Sequence, residues 1–348
     1  MRLRTLLQAG AIATVFAVPG CILPAAAREL TLVARAGPFQ EPLQQVFVLP
    51  FSQASGLHVD QESWTGGLDQ IEQRIGWGDP WDLVQVSSAE LQPGCEQGFF
   101  EKLDWSAIGG RDRYLPQGVS DCGVGAFMRS IVLTWDRDKF PGTPTWGDFW
   151  DVAKYPGKRG LKRDVETNLE IALLADGVAP GDVYGTLRSS DGVARAFRKL
   201  DQLKPYLVWW QSDTDATKIV GSGAVLMTSA PNDRVTAANR AERRHFGIQW
   251  SGSLYSVDFW AIVAGSANFA AAIRFLAFAA NPAQEAKLLP LIAYGPMAKG
   301  ANDKLPPDLQ AVSPTAPANL QNALQIDEAF WRDNYAKLSQ RFEDWLKH

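Results

Sequence analysis

Asp258 lies in SLYSVDFWAI, a strand-like run with Tyr255 three positions before it and Phe259 and Trp260 directly after it. A carboxylate buried in such a run costs several kcal/mol unless a cation or hydrogen-bond donors meet it. It is therefore a candidate either for an internal ion pair, with Arg234 or Lys299, or for holding a cation that arrives from outside. Strand alternation puts Trp260 on the same face as Asp258 and Tyr255 on the other, so Tyr255 belongs to the core unless a bulge intervenes. Arg234 follows a strand-end turn, where it could meet an anionic group or be a charge at a helix start. Asp164 follows Leu161-Lys162-Arg163, and a surface pair with Lys162 or Arg163 competes with ligand contact there.

Catalytic motifs are missing. The three histidines, His58, His245 and His348, have no Glu or second His at metal-ligand spacing. The sequence holds no G-x-S-x-G elbow, P-loop or G-x-G-x-x-G. Asp213 with Asp215 and Asp327 with Glu328 read as helix caps and first-turn charges. A binding protein without metal or cofactor fits this inventory better than an enzyme does.

Arg2 and Arg4, an apolar run from Leu6 to Val18 and Ala25-Ala26-Ala27 form a secretory leader over residues 1–27. Val18-Pro19-Gly20-Cys21 also resembles a lipidation site, but Pro19 fits that pattern poorly, so cleavage after Ala27 and a periplasmic location are expected. Without Arg2 and Arg4 the net charge goes from −4 to −6, with 32 basic against 38 acidic residues. A mildly acidic surface disfavours nucleic acid and anionic membrane as partners. Cys95 and Cys122 remain, and two cysteines in an exported chain suggest one disulfide.

These residues need a frame. ELTLVARAG, LHVDQES, PWDLVQVSS, AFMRSIVLTWD, PYLVWW, AVLMTS and SLYSVDFWAIVAG read as strands. Helical stretches separate most of them, and PTWGDFWDVAKYPGKRG reads as a loop-rich segment with one short helix. Phe330, Tyr335, Leu338, Phe342 and Leu346 form an apolar stripe along the terminal helix. Alternating strands and helices imply an α/β fold with largely parallel sheets, whose ligands bind at strand carboxyl ends.

In order along the chain, LPFSQASGLHV, WDLVQVSS, FFEKLDWSAI, PTWGDFWDVAKYPGKRGL, LEIALLADGVAPGDVY, GVARAFRKLDQLKP, NDRVTAAN, DFWAIVAGSAN, IAYGP and PTAPANL carry a resemblance. Together they resemble the spermidine/putrescine-type periplasmic solute-binding proteins of ABC importers, over nearly the whole mature chain. The resemblance implies a type II two-lobed fold, each lobe a mostly parallel sheet flanked by helices, joined by hinge strands. It divides the chain into lobe I, residues 28–133 plus 259–300, and lobe II, residues 134–258 plus 301–348. It also implies a monomer without catalysis that closes over a small amine and docks on membrane permease subunits.

Carried over by position, the resemblance implies that Asp258 holds a ligand ammonium and that Asp164 is a second carboxylate. Tyr294 matches a cleft tyrosine and Ser87 a serine at a strand end. Thr167 stands where a companion acid is expected, with Glu166 next to it. The family's aromatic pair after the first strand is replaced by Arg35 and Pro38-Phe39, and further expected aromatics are Ala89, Pro231 and Ser256. A polyamine box uses aromatic walls and carboxylates. With walls lost, Arg35 and Arg234 could instead pair with a carboxylate, and a γ-aminobutyrate-like zwitterion becomes the alternative to a polyamine.

Overall fold

The computed structural model describes residues 29–348. The leader read over residues 1–27, with Cys21, lies outside them. Nine strands form the frame: β1 (Leu30–Arg35), β2 (Val59–Trp64), β3 (Leu83–Ser87), β4 (Val124–Asp136), β5 (Arg159–Lys162), β6 (Leu207–Trp210), β7 (Met227–Pro231), β8 (Phe246–Ile262) and β9 (Leu324–Gln325). Their order is β2-β1-β3-β8-β4-β7-β5-β6, with β9 beside β8. The outer strands pair in parallel on both sides, β2-β1-β3 and β7-β5-β6. β8 is antiparallel to β3 and β4, and β4 is antiparallel to β7. The expected parallel sheets are thus present at the two ends, and two long antiparallel strands run between them.

Burial explains the patterns. In LTLVAR of β1 the first five residues are buried, as expected for a strand covered on both faces. The helix Ser190–Leu203 buries Val193, Ala196, Phe197, Leu200 and Leu203 on one face, and the Ser189 side chain caps its start. The helical stretch between β1 and β2 runs from Gln40 to Ser55 through a π-helical middle, and Gly56, at φ +70°, ends it. In the terminal helix Glu328–Lys347, Phe330, Leu338 and Phe342 are buried, whereas Tyr335 of the expected stripe is exposed.

β5 begins inside the segment that the sequence offered as loop-rich and runs two residues past it. RGLK carries a charge at each end and a glycine, so no apolar run announces it. Gly160 is required because a Cβ there would come 2.3 Å from Thr228 Oγ1 on the neighbouring strand. Arg159 is fully buried and donates from its guanidinium to the Phe149, Tyr155 and Gly157 carbonyls.

Apolar side chains gather in two halves. β1, β2 and β3 pack with Phe127, Trp260, Phe275 and Tyr294. Leu133, Leu161, Leu169, Met227, Leu254 and Phe330 pack together in the other half. The change of side falls between Met128 and Ile131 on β4 and between Leu254 and Tyr255 on β8. There the β4–β8 register slips between Ile131 and Leu133. Ala301 and Leu305, placed in lobe II by the resemblance, pack with Leu289 and Ala298. Cys95 and Cys122 are joined in a disulfide.

Candidate ligand site

The strand ends carry charged and aromatic side chains to the seam between the halves. Asp258 on β8 is 2% exposed and pairs across the ladder with Phe127 of β4, two positions from Arg129. Gln85 of β3 donates to its carboxylate at 2.5 Å, and the Arg129 guanidinium stands 3.7 Å away. The internal partner is thus Arg129, in place of the expected Arg234 or Lys299. The Arg129 side chain is 43% exposed as a whole, while its Nε is buried without a hydrogen-bond partner. The Asp258 carboxylate holds the guanidinium firmly charged.

A cavity of about 170 Å³ opens over this pair. Besides Asp258 and Arg129 it is lined by Arg35, Phe39, Gln85, Phe127, Asp213, Arg234 and Tyr294. Its aromatic wall is built by stacking: Phe127 lies 4.5 Å from Tyr294, and Phe39 meets Phe127 edge-on at 4.6 Å. Burial pushes the Tyr294 hydroxyl up, so it stays protonated. Arg234, at the start of the helix Asn232–Ala241, pairs with Asp233 at 3.3 Å. Asp213 is the first-turn residue of the helix Asp213–Gly221, as read, and it also faces the cavity.

A second cavity of about 160 Å³ shares Arg129 and Asp213 and is lined by Lys162, Glu166, Thr167, Trp210, Asp233 and Ser256. Burial pushes the Glu166 carboxyl up to about 8, with repulsion from Glu170 and Glu328 in the same direction. A larger hollow of about 890 Å³, between Ser88 and Glu328, is open and holds none of Asp258, Arg129 or Arg234. The two smaller cavities are the candidate site because buried charge converges there.

The structure brings Asp258, Tyr294, Phe39, Arg234 and Arg35 to the first cavity and Glu166 to the second. Arg35 is occupied: it pairs with Glu90 and donates to the Thr65 carbonyl at 3.0 Å. Ser87 lines neither cavity, because it caps the helix Ser88–Glu96 and its hydroxyl donates to Glu90 at 2.8 Å. Burial raises Glu90, but the N–H groups of Gly67 and Ser87 and the charge of Arg35 outweigh it and hold Glu90 below the ordinary range. Trp260 does share the Asp258 face but sits behind Phe39, 6.2 Å between rings, in the core. Tyr255 faces the opposite core, and its hydroxyl meets Gln325. Asp164 turns to Lys162 at 3.2 Å and to the Tyr335 hydroxyl at 3.3 Å, outside both cavities.

Sequence reasoning missed Arg129, Phe127, Gln85 and Trp210. Arg129 did carry a signal: one charge inside the apolar run AFMRSIVL, as unusual there as Asp258 in its own strand.

A two-lobed α/β frame with a charged pocket at the strands' carboxyl ends defines a solute-binding protein. The profile of the family described as bacterial extracellular solute-binding protein matches residues 56–318, and the chain belongs to that family. A gamma-aminobutyric acid-binding protein of Pseudomonas aeruginosa is 39% identical over 323 residues, 92% of each chain. An ABC transporter substrate-binding protein from Bradyrhizobium japonicum superposes with a TM-score of 0.79 at 30% identity, covering 91% of this chain and 99% of that one. A solved GABA receptor also gives 0.79, at 25% identity over 92% and 98%. The chain is thus a substrate-binding component of an ABC transporter, a class that binds small molecules, works with membrane permease components and does no catalysis.

Proposed function

We propose that this protein captures a zwitterionic amine of the γ-aminobutyrate type in the exported compartment and hands it to its permease. The observation that carries the reading is Arg129 beside Asp258, with Arg234 in the same cavity. A polyamine has only cationic ends, and arginines at the base of its pocket would repel it. A zwitterion meets both signs: its ammonium goes to Asp258 beside the Tyr294 wall, and its carboxylate to Arg129 and Arg234. The volume suits it, since about 170 Å³ is the space of roughly six waters at about 30 Å³ each. The relatives named for γ-aminobutyrate support this alternative over the polyamine expected first. The halves meeting at β4 and β8 would close over the ligand as hinged lobes, in a monomer directed to the periplasm by residues 1–27.

Isothermal titration with γ-aminobutyrate and putrescine tests the reading. γ-Aminobutyrate should bind at least tenfold more tightly than putrescine, and Arg129→Gln should weaken it at least tenfold without weakening putrescine. Putrescine binding as tightly as γ-aminobutyrate would overturn the reading.

A further inference from the structure

The second cavity, of about 160 Å³, is space additional to the one assigned to the four-carbon zwitterion, and its walls are unfinished. Trp210 Nε1 and Thr167 Oγ1 are buried and have no hydrogen-bond partner, and Arg129 Nε between the cavities has none either. Trp210 is 1% exposed and Thr167 4%. An indole N–H can only donate, and burying it without an acceptor is unfavourable. Thr167 also holds φ at +72°, a region that β-branched residues rarely enter, and such conformations gather at ligand clamps.

The charges around these donors limit what can answer them. Asp213 and Asp233 line the same cavity, and burial keeps Glu166 protonated near neutral pH, its proton available to donate. Lys162 and Arg129 balance Asp213 and Asp233 in this cavity, so a second charged group of either sign would meet like charge there. A second ammonium would leave the Trp210 and Arg129 N–H groups without an acceptor. An uncharged group that accepts from the indole N–H and the threonine hydroxyl and donates one proton to a carboxylate answers them together. A hydroxyl is the smallest such group.

We propose that the Trp210–Thr167 cavity is a second subsite that takes a hydroxyl-bearing substituent of the amine ligand. The proposal rests on the zwitterion reading of the first cavity. It makes Trp210 and Thr167 specificity residues, which select substituted γ-amino acids over the bare chain.

The test titrates the mature chain with γ-aminobutyrate, its 3-hydroxy derivative and its 3-methyl derivative, the last being close in size to the second but without the hydrogen bonds. The hydroxy compound should bind at least tenfold more tightly than the methyl one, about 1.4 kcal/mol. Trp210→Phe and Thr167→Val should each cut that ratio below threefold, with circular dichroism and thermal melts establishing that both variants fold. A ratio near one in the unaltered protein overturns the proposal, and so does a ratio that both variants leave intact. Binding of none of the three amines overturns the zwitterion reading and this one with it. Binding of all three without discrimination overturns the second subsite alone.

Discussion

Asp258→Asn separates the electrostatic role of this side chain from its shape. Asn keeps the volume and an oxygen to accept from Gln85 Nε2, now 2.5 Å from the carboxylate, and removes only the charge. Deleting one partner of a fully buried ion pair costs about 3–5 kcal/mol. Arg129 is not fully buried: with 43% of its side chain exposed, cleft water can solvate the charge left behind. The stability loss should therefore fall to about 1–2 kcal/mol. At roughly 2–4 °C per kcal/mol for domains of 150–250 residues, that is a modest drop in Tm. Binding should suffer more, because the ligand ammonium loses its counter-charge in a desolvated place. Truncating one member of a buried charge pair costs about 2 kcal/mol or more, roughly thirtyfold in Kd. Isothermal titration of Asp258→Asn, Arg129→Gln and the double variant with γ-aminobutyrate measures both the loss and the coupling. A Kd within threefold of the unaltered protein, or a coupling energy below about 0.5 kcal/mol, would refute the idea that the two residues act as one charge device.

Glu170 provides a pH signature. It is fully buried, its Oε1 accepts from Tyr184 and Trp331 at 2.7 Å each, and burial pushes its carboxyl up to about 7. The folded state holds this proton more tightly than the unfolded chain, so its contribution is full at acid pH and is lost as pH rises through about 7. Denaturant midpoints should fall between about pH 4.5, the ordinary carboxyl value, and about pH 7, and Glu170→Gln should flatten that fall. The disulfide closes a loop with a sequence separation of 27, worth roughly 3 kcal/mol in the chain-entropy model. Calorimetry of the Cys95→Ser/Cys122→Ser variant should show a Tm lower by roughly 6–12 °C.

The frame was legible where burial writes long patterns. β1, β3, β4 and β8 announced themselves as apolar runs. β5 was hidden because four residues with a glycine and two charges carry no periodicity. The site was half legible. Asp258 stood out as a charge in an aromatic strand, and the same criterion applied evenly would have found Arg129. Ser87 could have been set aside from sequence, since Ser87-Ser88-Ala89-Glu90 has the spacing of a capping box. Thr167 and Trp210 were not legible, because a positive φ and an unpartnered indole are properties of the folded surroundings. Asp213 was read correctly as a first-turn acid, but only the tertiary fold turns that helix start toward the cleft.

Because Asp258 and Arg129 ride on β8 and β4, two strands that are neighbours in one ladder, their proximity does not depend on how the halves stand to each other. Trp210, Glu166 and Lys162 reach the cleft from β5, β6 and the turn after β5, on one side only. The Asp258 carboxylate thus has the Arg129 guanidinium beside it whatever the angle between the halves, while 43% of the Arg129 side chain stays open to solvent. On the zwitterion reading proposed above, the ligand would arrive as a replacement for an existing partner, each of its ends taking over one side of a pair that is already made. Selectivity against single charges would follow from that exchange, because a lone cation or a lone anion relieves one member only by stranding the other.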